Sequence, residues 1–181
     1  MGANHMAADF AKTLKMLLDF YSSQGLDYAL IGGFALHAYG LARNTDDIDF
    51  VLRSRDATGT IGFLESIGYQ TLNRTEAFSN HEHPLSGFSR VDFLYVNGET
   101  ADALFSNVRE FPVFGNFKVR VVKPEHLIAL KLFSMAADPE RRALDQEDLV
   151  HLLHQEGLDR EEIRGYFQKY SSLEEFEALN G

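Results

Sequence analysis

The sequence predicts an α+β fold: a mixed β-sheet with flanking helices, followed by a C-terminal helical bundle. Three observations carry this. Apolar runs bounded by glycines alternate with helical periods up to residue 122. From Pro124 onward the apolar positions recur at helical spacing only. The 181 residues are 45% hydrophobic and include 15 Phe, enough to bury a core as one domain or as a core with a small appendage.

The opening Met1-Gly2-Ala3-Asn4-His5-Met6 reads as an expression scar, which leaves a core over 7–122 and a helical region over 123–181. Residues 8–22 form an amphipathic helix, with Phe10, Leu14, Leu17, Leu18 and Tyr21 on one face and Gly25 at its end. Residues 28–31 are a buried strand, 34–39 a short helix closed by Gly40, and 47–53 a second strand. A helix over 58–67 ends at Gly68, and 69–72 make an edge strand. Residues 73–86 are polar and without clear period, and read as a loop or irregular hairpin. Residues 89–96 are a strand closed by Asn97-Gly98, and 100–107 a short helix. Residues 111–114 and 117–122 pair around Gly115-Asn116, with Phe111, Phe114 and Phe117 reading as core. Pro124 suits a first helical position, and helices follow over 125–137, 141–156, 160–170 and 173–179.

Composition excludes several classes. No run approaches the ~18–20 apolar residues of a membrane span, and no signal peptide is visible. The chain has no Cys, so it forms no disulfides and does no thiol chemistry, which fits the cytoplasm. A net charge of −10 argues against broad, nonspecific nucleic-acid binding. Arg43, Arg53, Arg55, Arg74, Arg90 and Arg109 lie in the first two-thirds and allow a local basic patch. Glu161, Glu162, Glu174, Glu175 and Glu177 read as a solvated helical surface, one able to face a basic partner.

The chemistry concentrates in Gly32-Gly33-Phe34-Ala35-Leu36-His37-Ala38-Tyr39-Gly40-Leu41-Ala42-Arg43-Asn44-Thr45-Asp46-Asp47-Ile48-Asp49. Strand residues two apart share a face, so Asp47 and Asp49 project together while Ile48 and Phe50 enter a core. Side by side on a strand the two carboxylates repel, and a hard divalent cation, which prefers oxygen ligands, is the simplest reason to keep them. Gly32-Gly33 reads as a turn at which a phosphate approaches backbone N–H groups. A phosphate cradle beside a cation site implies phosphoryl or nucleotidyl chemistry.

The stretch Gly32 to Phe50 resembles the nucleotidyltransferase superfamily with the DNA-polymerase-β-like core, and more closely its AbiEii-type toxin branch and the uncharacterised bacterial relatives. The shared signature is a glycine pair, a helix, Arg-x-Thr and Asp-Ile-Asp, and the resemblance covers about residues 14–153. It implies a nucleotidyltransferase core with a third acid on a later strand. Asp92, alone among Val91, Phe93 and Tyr95, is that candidate; a salt bridge to Arg90 or a distant Arg is the structural alternative. Arg43 and Thr45 match Arg-x-Thr, and either contact phosphates or brace the loop. Lys131 lies in a segment resembling the family's site-lysine segment. It interrupts an apolar helix, so its ammonium meets an anion such as a triphosphate or snorkels to solvent. Asp145 and Asp148 match the family's Lys-Asp-x-x-Asp-Leu, with Leu144 where a lysine often stands.

The resemblance therefore implies an EC 2.7.7-type enzyme that moves an NMP from an NTP, ATP among the candidates, to a hydroxyl acceptor with release of pyrophosphate. Asp47, Asp49 and Asp92 would be catalytic and would hold Mg²⁺ or Mn²⁺. Gly32, Gly33, Arg43, Thr45, Lys131, Asp145 and Asp148 would contact the nucleotide. The acceptor is a tRNA, a protein or a small molecule, and an antitoxin-like protein is a further expected partner. The competing reading is a catalytically silent nucleotide- or partner-binding protein of the same fold. Asp46 reads as solvent-facing or capping, and His37 and Tyr39 as packing residues or as supports behind the site rather than catalysts. His81-Glu82-His83 reads as a polar loop and not a metal motif, and a zinc site at His151 and His154 is disfavoured.

Overall fold

A computed structural model describes residues 2–113, 117–137, 142–171 and 173–180. The expected turn at Gly115-Asn116, Phe114, a helix start at Arg141 and the side chain of Phe117 lie outside the described residues. The chain divides into two compact units: Met1–Ala38 with Arg43–Val122, and Tyr39–Ala42 with Lys123–Gly181.

The first unit contains α1 (Gly2–Gln24), β1 (Tyr28–Leu30), α2 (Gly32–Ala38), β2 (Asp47–Arg53), a 3₁₀ turn (Ser54–Asp56), α3 (Ala57–Ser66), β3 (Gln70–Arg74), β4 (Phe78–Glu82), β5 (Arg90–Val96), α4 (Gly98–Phe105), β6 (Arg109–Val113) and β7 (Phe117–Val121). The strands make one mixed sheet of order β3-β4-β5-β2-β1-β7-β6, in which β2 and β5 run parallel, as do β1 and β7. The second unit holds the helices α5 (Pro124–Ala137), α6 (Arg142–Leu153), α7 (Arg160–Tyr170) and α8 (Leu173–Asn180). The fold is α+β, as the sequence predicts.

The core of the first unit is aromatic. Phe50 of β2 is fully buried. Its ring meets Tyr21 of α1 edge-on at 5.4 Å and Tyr28 at 5.9 Å, the geometry that aromatic quadrupoles favour. Helix α1 buries Phe10, Leu14, Leu17 and Tyr21 at helical spacing. It is pinned to the start of β5 by Thr13, whose Oγ1 accepts from the Ser89 N–H at 3.1 Å. Arg53, at the end of β2, donates to Asp27 at 2.7 Å and to Asp102 of α4 at 2.8 Å.

The segment read as a loop or irregular hairpin is a hairpin. Strand β4 pairs with β3 across a register shift between Thr71 and Asn73, and fills the place between β3 and β5. Its sequence hides it because its inward residues are polar: Ser79 and His81 are both fully buried. They are satisfied by a hydrogen-bond chain of fixed direction. The Thr71 hydroxyl donates to Glu65 Oε1 at 2.7 Å, so towards His81 Nδ1, at 3.2 Å, it can only accept. Burial holds His81 down to about 4, so the ring is neutral with a bare Nε2. That nitrogen accepts from the Ser79 hydroxyl at 2.7 Å, and Ser79 Oγ accepts from Tyr95 OH at 2.5 Å. The polar-loop reading of His81-Glu82-His83 is thus corrected. His83 is equally engaged: its Nδ1 accepts from Leu85 N–H at 3.1 Å, leaving Nε2–H to donate to Ile67 O at 3.2 Å.

The glycine pair is not a turn ahead of the helix but the first turn of α2 itself. Gly32 has φ +63°, and a Cβ there would stand 2.0 Å from Asp49 Oδ2; one on Gly33 would stand 2.7 Å from Thr45 Cβ. The glycines make room for an acid and a threonine. Gly32→Ala is expected to lower the free energy of unfolding by about 1–3 kcal/mol, through left-handed strain and displacement of Asp49, measured by urea denaturation. An unchanged midpoint would contradict this role for the missing side chain.

Candidate active site

Parallel pairing of β2 with β5 aligns Asp47 with Arg90 and Asp49 with Asp92. Residues in register on neighbouring strands share a face. Ile48, Phe50, Leu52, Val91, Phe93 and Tyr95 are buried on one side, so Asp47, Asp49 and Asp92 stand together on the other. Arg90 Nε lies 3.7 Å from Asp47 Oδ1, within ion-pair range but too long for a hydrogen bond. Asp47 Oδ1 and Asp92 Oδ1 are each buried without a hydrogen-bond partner. Tyr21, Asp56, Glu125 and Asp145 carry such oxygens too, but none of those stands in register with another acid. Burial pushes the Asp47 carboxyl above its usual range; Arg90 opposes this, and the charges of Asp92 and Asp46 reinforce it.

An unsatisfied buried oxygen costs about 1–3 kcal/mol. Two of them on one face, beside the Asp49 carboxylate, form a hard-oxygen donor set, so the chemistry of these three residues fits a divalent cation. Among the described residues no group of three or more His, Cys, Asp or Glu side chains is placed, as it stands, to hold a metal ion. The fit thus rests on donor chemistry and strand register.

The loop before β2 is braced by local bonds. Thr45 Oγ1 donates to Asp47 O at 3.2 Å while its side chain packs over Gly33. The His37 ring, edge-on to Phe34, faces the backbone of Arg43, with Nε2 2.6 Å from its carbonyl and 3.0 Å from its N–H. One nitrogen serves one of these bonds at a time, according to tautomer. Asp46 is exposed, as expected.

In the second unit Lys131, Asp145 and Asp148 come together. Lys131 Nζ donates to Asp145 Oδ1 at 2.8 Å and lies 2.6 Å from Asp148 Oδ2, with both acids buried. The ammonium neither snorkels nor waits for an anion: it compensates two carboxylates of α6. His151 Nε2 faces Tyr39 O at 2.9 Å and His154 Nδ1 faces Val150 O at 2.6 Å, so one nitrogen of each ring is turned to a backbone carbonyl. Sequence reasoning missed the Arg53 bridge and the His37 brace. The partners of Arg53 lie 26 and 49 residues away, which leaves no local signal.

No protein-family model matches the chain, and no curated protein does. Solved structures do. The antibiotic-resistance factor ANT(2'')-Ia, in solution, is similar with a TM-score of 0.68 at 17% identity, over 94% of this chain and 96% of that one. The lincosamide antibiotic adenylyltransferase LnuA, lincomycin-bound, gives 0.57 at 20%, over 79% and 96%. An antigenic nucleotidyltransferase-like protein from Paracoccidioides brasiliensis gives 0.58 at 14%, over 98% and 93%. The chain therefore has the nucleotidyltransferase fold, the core that the glycine pair and Asp-Ile-Asp imply.

Two outcomes follow for stability. Asp47 holds its proton more tightly folded than unfolded, so its contribution to stability falls as pH rises from the ordinary value of 3.8 through the raised folded value. Asp47→Asn is therefore expected to raise the melting temperature near neutral pH, with a gain that shrinks as pH falls towards 4. Lys131→Met leaves two buried carboxylates uncompensated and is expected to cost about 3–5 kcal/mol in urea unfolding. A near-neutral effect would show that the lysine is dispensable to the helical unit and available to a ligand.

Proposed function

We propose that the protein is a nucleotidyltransferase that moves an NMP from an NTP to a hydroxyl acceptor and releases pyrophosphate. The observation that supports this best is the placing of Asp49 and Asp92 in register, on the same face as Asp47, beside the N-terminus of α2. A divalent cation, Mg²⁺ or Mn²⁺, held by Asp47, Asp49 and Asp92 would neutralise charge on the triphosphate and on the leaving pyrophosphate. The residues themselves do the rest. Gly32 and Gly33 keep side chains away from the bend that seats Asp49. Arg43 and Thr45, on the braced loop, contact the nucleotide. Asp92 accepts the proton of the acceptor hydroxyl. That oxygen bonds to the α-phosphorus as the bond from the α-phosphorus to the bridging oxygen breaks, and the electron pair leaves with pyrophosphate. A nucleotide role for Lys131, Asp145 and Asp148 requires the ammonium to exchange carboxylates for phosphate oxygens.

The acceptor we favour is a small hydroxyl compound. Among the structural neighbours, LnuA is described as a lincosamide antibiotic adenylyltransferase and ANT(2'')-Ia is seen in complex with adenylyl-2''-tobramycin, and the net charge of −10 disfavours a long polyanion. A protein hydroxyl, with an antitoxin-like partner, is the toxin-branch reading that the Gly32 to Phe50 stretch suggests.

The experiment is pyrophosphate release and labelled-NMP transfer, with each NTP, Mg²⁺ and a panel of hydroxyl acceptors. Asp49→Asn is expected to abolish transfer, Asp92→Asn to lower it by about 10²–10⁴-fold, and Asp46→Asn to leave it intact, all with unchanged circular dichroism. Transfer surviving the Asp49 and Asp92 changes contradicts the assignment. NTP binding with no pyrophosphate release under any acceptor favours the silent-binder reading instead.

A further inference from the structure

The hydrogen-bond chain through β4 ends at an open cleft. The cleft has a volume of about 570 Å³ and is lined by Thr58, Arg74, Thr75, Glu76, Tyr95 and Asn97 among others. It belongs wholly to the first unit. It lies at the C-terminal ends of β2 and β5, whereas Asp49 and Asp92 stand near their N-terminal ends. Tyr95 is three residues from Asp92 and projects from the opposite face. The cleft is therefore distinct from the carboxylate site.

Its rim is built by local bonds. In the β3–β4 turn, Phe78 N–H donates to Thr75 Oγ1 at 3.0 Å and Thr75 N–H to Phe78 O at 2.8 Å. Tyr95 N–H donates to Ala77 O at 2.8 Å, tying that turn to β5. Arg74 Nη2 donates to Thr58 Oγ1 at 3.0 Å, which turns the guanidinium across the first turn of α3.

The chemistry of the lining is asymmetric. A guanidinium only donates, so Arg74 selects an anionic acceptor. A carboxylate only accepts, so Glu76 selects a cationic donor. Tyr95 would ordinarily do both, but the chain through Ser79, His81, Thr71 and Glu65 commits its proton inwards. What its oxygen can offer a ligand is lone pairs alone. The same lining thus offers a donor group for an oxyanion and acceptor oxygens for N–H groups.

We propose that this cleft is a second binding site, for a small amino-acid-like zwitterion whose carboxylate meets Arg74 and whose ammonium meets Tyr95 Oη and Glu76. The proposal needs none of the three aspartates, so it stands or falls apart from nucleotidyl transfer.

The test is titration of the ¹⁵N-labelled full-length protein, followed by amide shifts, with four probes: alanine, lactate, ethylamine and inorganic phosphate. Alanine is expected to give saturable shifts confined to residues around Ser54–Thr58, Arg74–Phe78 and Tyr95–Asn97. Lactate and ethylamine each lack one charged contact and are expected to bind about 10-fold more weakly. Arg74→Met is expected to weaken alanine about 10-fold and Tyr95→Phe to weaken it measurably, with NTP binding unchanged in both. Arg74 is exposed, so its variant remains informative if Tyr95→Phe unfolds. Absence of saturation by alanine, equal binding of lactate, ethylamine or phosphate, or indifference to Arg74→Met would each overturn the proposal.

Discussion

Like charges on neighbouring strands are the constraint to which this architecture answers. Parallel pairing of β2 and β5 puts Asp49 beside Asp92, with Asp47 two residues back on the same face. Repulsion between such neighbours opposes that pairing. The sheet forms because the other face of the same strands buries Ile48, Phe50, Leu52, Val91, Phe93 and Tyr95, with Phe50 edge-on to Tyr21 of α1. The alternation that aims apolar residues at the core is the alternation that gathers the acids. The site is a by-product of strand period, and its electrostatic cost is carried by the core.

The glycine pair belongs to the same constraint. Glycine pairs at the start of a helix invite a phosphate explanation, and the sequence alone suggests one. The structure adds a more immediate reason. Asp49 occupies the space over Gly32, and Thr45 the space over Gly33. Ile31 N–H donates to Asp49 O at 2.9 Å, so β1, α2 and β2 meet at a single point. Any side chain at Gly32 would move the acid before it met a ligand.

Legibility in the sequence followed the kind of interaction. Strand β2 was readable to the residue, because Asp-Ile-Asp alternates within an apolar run. The partnering of Asp92 was readable as an isolated acid in an apolar strand. The helices from Pro124 were readable from period and from the proline itself. Strand β4 was not, since its buried positions are Ser79 and His81 and its order comes from a polar chain, not from hydrophobic alternation. Lys131 was legible as a charge needing a partner but not as to which one; the partners were Asp145 and Asp148, one and two turns along α6. Contacts such as Arg53 with Asp27 and Asp102 depend on topology and leave no mark in a local pattern.

The central claim is that the aspartates of β2 and β5 hold one divalent cation. Paramagnetic broadening by Mn²⁺ tests it most directly. At substoichiometric Mn²⁺, amide resonances of Asp47–Phe50, Arg90–Phe93 and Gly32–Gly33 should broaden first, and Asp49→Asn should remove that selectivity. Broadening that begins at the acidic residues of α7 and α8, or that is uniform and indifferent to Asp49→Asn, would contradict the account.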